Sequence, residues 1–387
     1  LAARPRRWDT RTMALTPAPE ETARARVYHR RQLALSLLGL VLSVVYLLAL
    51  IATRAAAHLT EYVAQWTTAW WLELGIVLLV LAGAYRILTL PLHWLSGFWL
   101  PRRFGLLHQP FRRWVWDAAK AAVIGAILGL LAALTVYGLL RVTPWWWLWG
   151  AAIFLAGYAL LALVAPIWLV PLFYRLTPLP DGALLARLLA LARRVGVPVT
   201  GVFVVDQSRK SRTANAAVTG LGRTRRILLF DTLLDQFTAE EIEAVLAHEL
   251  AHQLHGDIRR GLLVQGALTL GTFWIADRAL RWGAGWLGLA GPADIAGLPL
   301  FGLILVLVSL AALPLANGWS RRVEWQADRF ALETIPDPRA FIGSMERLAT
   351  LNLAEREPHR LEEFFLYSHP AIARRIAHAR QFRHDLT

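Results

Sequence analysis

Six long apolar segments limit what this 387-residue chain can fold into more than any other feature. Residues 33–53 carry no charge, and about 20 such residues form a helix long enough to cross the hydrocarbon core of a bilayer. The composition agrees, because 56% of the residues are hydrophobic, eighteen are Trp and the mean hydropathy is +0.44. We therefore predict a mainly α-helical, polytopic membrane protein with spans near 33–53, 71–90, 121–140, 145–173, 262–280 and 298–315.

The positive charge indicates how these spans are oriented. The net charge is +14, and nearly every basic side chain is Arg, since Lys occurs only at Lys120 and Lys210. Six spans place both termini on one side, together with the Arg-rich loop 101–114 and the polar segment 174–258. Loops rich in Lys and Arg stay in the cytoplasm. We therefore predict cytoplasmic termini and Arg side chains that meet lipid head groups rather than nucleic acid.

A short motif between the apolar segments predicts a metal site. His248-Glu249-Leu250-Ala251-His252 is an H-E-x-x-H, and Thr238 is a suitable N-cap for the helix that would carry it. Residues four apart lie on one face of a helix, so both imidazoles can bind one zinc ion. Glu249 beside them is placed to act as general base on a metal-bound water. The alternative is a helix whose two His only cap or pack.

A catalytic zinc site of this kind needs a third protein ligand. The chain has no Cys, so the ligand must be a His or a carboxylate. Glu324 is the best candidate, because its predicted helix directly follows the last span and can pack back against the motif helix. Asp328 lies one turn later and is placed to accept a hydrogen bond from a ligand imidazole. Spacing alone leaves open the alternative of an exposed helix held by ion pairs.

Further motifs follow the same order as in a known membrane protease family. They are Arg103-Phe104-Gly105-Leu106 with Asp117 and Lys120, Pro171-Leu172-Phe173, residues 208–211, Asn215-Ala216 with Gly220, Phe230-Asp231-Thr232-Leu233-Leu234, Ser320-Arg321 with Glu324 and Asp328, and Ser368-His369-Pro370 with Arg375-Ile376. With the H-E-x-x-H, these motifs resemble the type I CAAX prenyl proteases, which are integral membrane zinc metalloendopeptidases of the gluzincin class. The resemblance covers about residues 20–380.

The resemblance implies roles for individual residues. Glu324 becomes the third zinc ligand, and His369 and Arg375 become the residues that hold the substrate or the developing oxyanion. Asn215, Ala216 and Gly220 fall on the strand where the family pairs an extended peptide with the sheet edge. The implied fold is a ring of about six helices around an intramembrane chamber, with a zincin-like α+β protease domain on the cytoplasmic side.

These inferences divide the chain into five parts. The soluble segment should contain a turn at 177–182, a helix at 183–195 and strands at 202–205, 213–219 and 226–230. The predicted parts are a cytoplasmic arm at 1–32, membrane helices at 33–173, a protease part with edge strand and zinc helix at 174–258, two more membrane helices at 259–316 and a helical tail with the third ligand at 317–387. Met13 is the expected natural start, with no cleavable signal peptide.

The predicted activity is zinc-dependent hydrolysis of peptide bonds, with one Zn2+ per chain. We expect peptide or protein substrates that are prenylated or membrane-associated, no nucleic acid, and a bacterial cytoplasmic membrane as the location. One alternative is a broad membrane metalloprotease for quality control. The other is a non-catalytic zinc-binding transporter or scaffold, although such a zinc site would fill its fourth position with protein and give no reason for Glu249.

Overall fold

Helices make up most of the protein, and a small sheet lies between two groups of them. The computed structural model describes residues 19–220 and 222–384, so the predicted start at Met13 and most of the arm lie outside the described residues. The helices are α1 (Pro19–Ala52), α2 (Ala55–Ala64), α3 (Trp70–Trp94), α4 (Leu100–Arg103), α5 (Phe111–Val142), α6 (Trp146–Val164), α7 (Val170–Phe173), α8 (Ala183–Arg194), α9 (Asp231–Gln236), α10 (Ala239–Leu254), α11 (Asp257–Trp286), α12 (Leu298–Thr334), α13 (Pro338–Asn352), α14 (Arg360–Leu366) and α15 (Ile372–His384).

Six long helices close into a ring. Going round it, α1 packs against α3, α3 against α5, α5 against α6, α6 against α11, α11 against α12, and α12 against α1. The most apolar windows of α1 and of α6 have no buried residue. A helix in a solid bundle would bury one apolar stripe, whereas a ring helix presents one face to lipid and the other to the enclosed space. The predicted ring is therefore confirmed.

Five stretches are long and apolar enough to cross a bilayer: Glu20–Ala52, Trp70–Arg103, Phe111–Val142, Trp146–Phe173 and Ile295–Thr334. The span predicted at 262–280 lies in α11, which is 30 residues long but is not one of the five. Its buried charge is paired, because Asp277 accepts hydrogen bonds from Trp146 Nε1 (2.7 Å) and Arg281 Nε (2.9 Å). Gly283 of α11 contacts Leu300 near the start of α12, so α11 runs antiparallel to α12 and passes through the same depth.

The last ring helix is longer than predicted. The apolar run ends near 315, but α12 continues without a break through Asn317 and Gly318 to Thr334. The predicted boundary at 316/317 therefore falls inside a helix. As a consequence, Glu324 is carried rigidly on an extension of a membrane helix.

The sheet has four strands in the order β1-β2-β4-β3. They are β1 (Leu176–Pro178), β2 (Val202–Val205), β3 (Ala216–Thr219) and β4 (Arg226–Phe230). β2 and β4 are parallel, and β1 and β3 are antiparallel to their neighbours. Strand β1 is absent from the sequence prediction, because the turn predicted at 177–182 includes Thr177 and Pro178. The predicted edge strand is β3, which forms one open edge of the sheet.

One apolar core joins the sheet to the helices around it. Side chains from β4, α9, α10 and α13 meet there, including Ile227, Leu229, Leu233, Ile242 and Phe341, which are essentially fully buried. Burial of a side chain of this size stabilises a fold by about 1.5–3 kcal/mol. This core fixes α10 between the sheet and α12, and so sets where the H-E-x-x-H lies.

Candidate metal centre

The helix that carries the H-E-x-x-H begins at a complete capping box. The Thr238 side chain accepts a hydrogen bond from Glu241 N (3.3 Å), and Thr238 N donates to Glu241 Oε2 (2.9 Å). Ile242, Leu246 and Leu250 are buried on the core side of the helix. The cap and this apolar stripe fix the rotation of α10, which turns His248 and His252 toward α12.

Three potential ligands meet between α10 and α12. His248 Nε2 lies 3.3 Å from His252 Nε2 and 3.3 Å from Glu324 Oε2, and His252 Nε2 lies 3.6 Å from Glu324 Oε1. A tetrahedral zinc ion with bonds of about 2.0–2.1 Å separates its ligand atoms by about 3.3 Å. Among the residues described, these three form the one group of at least three His, Cys, Asp or Glu whose ligand atoms are close enough to hold a metal ion.

The outer nitrogens of both imidazoles meet carboxylates. His248 Nδ1 lies 2.9 Å from Asp328 Oδ1, and His252 Nδ1 lies 3.0 Å from Asp257 Oδ2. With the ring proton on Nδ1 in each case, each Nε2 carries a lone pair. Two lone pairs 3.3 Å apart, beside an acid, repel one another, and either a proton or a metal ion between them removes the repulsion. The residues therefore fit a zinc ion.

The charge around His248 leads to the same conclusion. Burial alone would lower the pKa of His248, but the close carboxylates of Asp328 and Glu324 outweigh it and raise the pKa to about 9. The site therefore favours a positive charge, which a metal ion supplies in place of the proton. For the adjacent Glu249, burial is the main effect and raises the pKa of the carboxyl. A carboxylate with a raised pKa is a stronger base.

Arg375 lies behind the ligands rather than in front of them. Its Nε donates to Asp328 Oδ2 (2.7 Å) and its Nη2 donates to Asp328 Oδ1 (2.5 Å). Nη2 is 3.9 Å from Glu324 Oε2. Both Arg375 and Asp328 are buried. The guanidinium thus clamps the carboxylate that faces His248, which differs from the oxyanion contact predicted for it.

His369 approaches the site from a loop. Its Nε2 lies 3.4 Å from Glu324 Oε1, its Nδ1 lies 2.9 Å from Ser368 Oγ, and the side chain is 59% exposed. Arg321, one turn before Glu324 on α12, holds this loop by donating to the main-chain oxygen of Tyr367 (2.6 Å). The structure thus brings His369 beside the ligands and leaves its ring accessible.

The predicted substrate-binding residues lie along one strand edge. Ala216 begins β3, and Asn215 directly precedes it with an exposed side chain. Gly220 follows β3 with φ +92°, and a Cβ there would lie 2.6 Å from Thr224 O, so only glycine fits. Gly220 also lines a cavity that reaches Asp257 on α11 and Asn317 on α12. The edge therefore opens toward the space beside the metal centre.

One residue of this site was missed from the sequence. Asp257 reaches His252 because Gly256 adopts the left-handed conformation (φ +68°) between α10 and α11, which turns the chain back toward the motif helix. The available signal was a Gly-Asp pair directly after the motif helix. The Gly-Asp pair alone does not predict that Asp257 contacts His252, because the contact depends on the direction of the turn.

The protein combines a ring of membrane helices with a helix that carries H-E-x-x-H and a glutamate on a second helix. This combination defines an integral membrane metallopeptidase. Comparison with known families agrees. The sequence model of "Peptidase family M48" matches residues 178–383, and the model described as "CAAX prenyl protease N-terminal, five membrane helices" matches residues 11–175. The chain belongs to peptidase family M48.

Individual relatives align with most of the chain. An "Uncharacterized metalloprotease YhfN" of Bacillus subtilis is 28% identical over 366 residues, which is 93% of this chain and 86% of that protein. "CAAX prenyl protease 1" of Saccharomyces cerevisiae is 29% identical and aligns with 77% of this chain and 70% of its own length. The "CAAX prenyl protease 1 homolog" of Arabidopsis thaliana is 30% identical, with 75% and 69% covered.

A solved structure shows the same fold. The crystal structure of S. mikatae Ste24p superposes with a TM-score of 0.81 at 25% identity, and covers 93% of this chain and 89% of that one. The predicted resemblance is therefore confirmed. The protein is a zinc-dependent membrane endopeptidase that acts on peptide or protein substrates. Membership of a peptidase family argues against the non-catalytic transporter or scaffold.

Proposed function

We propose that one Zn2+ per chain is held by His248, His252 and Glu324. The observation that carries this proposal is that one ligand atom from each of the three residues lies within 4.8 Å of the others. The two imidazole Nε2 atoms are 3.3 Å apart, which matches one edge of a zinc tetrahedron, and each lies 3.3–3.6 Å from an oxygen of Glu324. Asp328 and Asp257 would orient the two imidazoles from behind. Three protein ligands leave the fourth position for water or substrate, as in catalytic zinc sites.

Glu249 is the general base of the proposed reaction. A bound zinc ion supplies the Lewis acid that activates a water molecule and polarises the scissile carbonyl. Glu249 takes the proton from the attacking water and passes it to the leaving amine as the C–N bond breaks. The support is its position directly after His248, its partial burial and its raised pKa.

His369 stabilises the oxyanion in this proposal, whereas Arg375 acts indirectly. Ser368 can hold the Nδ1 of His369, which leaves Nε2–H free to donate toward a developing oxyanion near Glu324. Arg375 has two of its nitrogens on Asp328. Its role is therefore to fix Asp328, and through it His248. We treat Arg375 as a positioning residue.

Residues of the sheet edge hold the substrate extended. Ala216 lies on β3, where a peptide can add as a further strand, and Asn215 and Gly220 flank it. The proposed substrates are prenylated or membrane-associated CAAX-type peptides, supported by the names of the yeast and plant relatives. The concentration of Arg on the side of the protease part supports a cytoplasmic active site, and the Bacillus relative supports a bacterial membrane.

The test is cleavage of a farnesylated CAAX peptide by the purified protein. The unprenylated twin peptide and the Glu249→Gln variant are run beside it, and zinc is measured in each preparation. Cleavage of the prenylated peptide alone, lost in the variant at one zinc per chain, supports both the substrate class and the base.

Other outcomes separate the alternatives. Equal cleavage of both peptides that still depends on Glu249 points to the broad quality-control protease. Absence of zinc from a folded preparation that had been supplied with it contradicts the proposed centre.

A further inference from the structure

One charge interrupts the apolar part of α3. From Leu74 to Pro101 the sequence contains no Asp, Glu, Lys or Arg other than Arg86. Arg86 lies near the middle of the stretch Trp70–Arg103, which is long and apolar enough to cross a bilayer. A charged side chain at membrane depth is costly, and such side chains almost always pair with another group. Arg86 is therefore expected to have a partner.

The residues that the structure describes do not supply this partner. Arg86 is half-buried, and its guanidinium makes no hydrogen bond or ion pair with any described residue. By contrast, the buried Asp277 in the same ring of helices accepts hydrogen bonds from Trp146 and Arg281. Arg86 thus differs from a charge that the fold itself neutralises.

Arg86 lines a cavity of about 510 Å³ between α3 and α5. Ligand sites in proteins typically have volumes of about 300–1,000 Å³. The other walls are mostly apolar or aromatic, with Trp94 on α3 and Trp114 and Ala122 on α5, and His93 is the one further titratable side chain. A water molecule needs two to four polar partners to be held in place. Water in this cavity would find few, so it compensates Arg86 poorly.

The composition of the walls selects the charge of a ligand. No Asp or Glu of the described chain lines this cavity. Three other cavities each include a carboxylate, namely Glu73, Glu61 and Asp257. A phosphate would accept charge-assisted hydrogen bonds from Arg86, whereas the ammonium of a zwitterionic head group would find no carboxylate here. The walls therefore favour a ligand with a net negative charge.

The cavity lies at the edge of the apolar zone, on the side of the protease part. Asp117 of α5 accepts a hydrogen bond from Lys210 Nζ (2.7 Å), which lies between β2 and β3, whereas residues 121–140 of α5 carry no charge. Ala118 and Trp114, which line the cavity, lie at this boundary. Trp is enriched at the level of the lipid head groups. The cavity therefore spans the level at which phospholipid head groups give way to acyl chains.

We propose that this cavity binds an anionic phospholipid. The lipid phosphate accepts hydrogen bonds from Arg86, whose long side chain can extend toward the boundary, and an acyl chain lies along the alanines of α5. Basic pockets between membrane helices bind the head groups of such lipids. The site shares no residue with the metal centre, so its test is independent of the proposed peptidase function.

The experiment measures lipid binding to purified, delipidated protein in a neutral detergent by native mass spectrometry. The probes are phosphatidylglycerol, zwitterionic phosphatidylcholine and soluble glycerol phosphate. Wild type is compared with Arg86→Gln, with Arg86→Lys, and with Ala122→Phe, which fills the groove and keeps the charge. Arg113→Gln, an equal change of charge at an exposed site on α5 outside the cavity walls, is the matched control.

We expect one tight phosphatidylglycerol site in wild type and in Arg113→Gln. Arg86→Gln should bind this lipid about 10–100-fold more weakly, because it loses hydrogen bonds between charged groups, and Arg86→Lys should lose less. Ala122→Phe should also weaken binding, although Arg86 is intact. Phosphatidylcholine and glycerol phosphate should each bind wild type at least about tenfold more weakly than phosphatidylglycerol, because one lacks the net charge and the other the acyl chains.

Three results would overturn the proposal. The first is equal affinity of wild type and Arg86→Gln for phosphatidylglycerol. The second is binding of glycerol phosphate as tight as that of the lipid, which would indicate a site for a soluble anion. The third is displacement of the lipid by a farnesylated peptide, which would assign the cavity to the substrate.

Thermal unfolding provides a second measurement that includes any unstable variant. An unpaired charge adds no stability to the lipid-free fold, so Arg86→Gln should be at least as stable as wild type in detergent alone. Phosphatidylglycerol should raise the unfolding temperature of wild type and of Arg113→Gln, but not that of Arg86→Gln. An Arg86→Gln protein that is less stable than wild type without lipid would show that the guanidinium has a partner within the protein, and would also overturn the proposal.

Discussion

Replacement of Arg375 by Met tests whether this arginine positions a ligand or contacts the substrate. Arg375 and Asp328 are 8% and 1% exposed and share two hydrogen bonds. Removal of one partner of a buried ion pair costs about 3–5 kcal/mol, because the other charge stays buried without compensation. Asp328 also faces His248 Nδ1, and loss of such an outer contact weakens metal binding about 10–100-fold.

The assay separates these effects from chemistry. Zinc affinity is measured by competition with a chromogenic chelator, and stability by thermal unfolding followed through Trp fluorescence. We expect Arg375→Met to lose both affinity and stability, with zinc-saturated kcat within a few-fold of wild type. Arg380→Met, exposed on the same helix, should match wild type in all three. Asp328→Leu combined with Arg375→Met should regain part of the stability, since no buried charge is left unpaired.

The reasoning is refuted by the opposite pattern. If Arg375→Met keeps its stability and zinc affinity but loses more than about a hundredfold in kcat at full zinc occupancy, the guanidinium acts on the reacting groups. The contact with Asp328 would then be secondary to a catalytic one.

Three further predictions address the rest of the site. Glu249→Gln should lower kcat by about 10²–10⁴-fold without changing zinc content, as measured by turnover and elemental analysis. Asp257→Asn should weaken zinc binding about 10–100-fold in the chelator competition, because His252 loses its carboxylate partner; unchanged affinity would count against the assigned contact. Gly220→Ala should lower the unfolding temperature and activity together, because its Cβ would meet Thr224 O at 2.6 Å and its φ is +92°; wild-type behaviour would contradict the required turn.

The sequence predicted what depends on local pattern. The H-E-x-x-H needs only helical spacing, and its helix was placed correctly by Thr238 and the apolar stripe. The strands at 202–205 and 226–230 coincide with β2 and β4, because both are short apolar runs rich in branched side chains. Glu324 was found by its type and its position after the last span, and the structure places it beside both His. The ligand role of Glu324 stays a prediction.

What the sequence did not predict depends on contacts between distant segments. The glycine turn at Gly256 sets the partner of His252, and the docking of α15 sets the partner of Arg375. Neither feature produces a periodic pattern in the sequence. The charges of α11 are tolerated because Asp277 meets Trp146 from another helix, 131 residues away in the chain. The amide of Asn352 reaches Ala214 across 138 residues. Such pairs follow from the tertiary fold.

The ring can close only after α12 has been synthesised, so closure is a late step in the assembly of the enzyme. α12 is the sixth ring helix to leave the ribosome, it completes the ring against α1, and it carries Glu324 at its far end. His248 and His252 are made more than seventy residues earlier, so a chain still being synthesised holds two of the proposed ligands without the third. His369 and Arg375 are translated later still. With the proposed ligand set, the metal centre can be completed only after all six ring helices have been made.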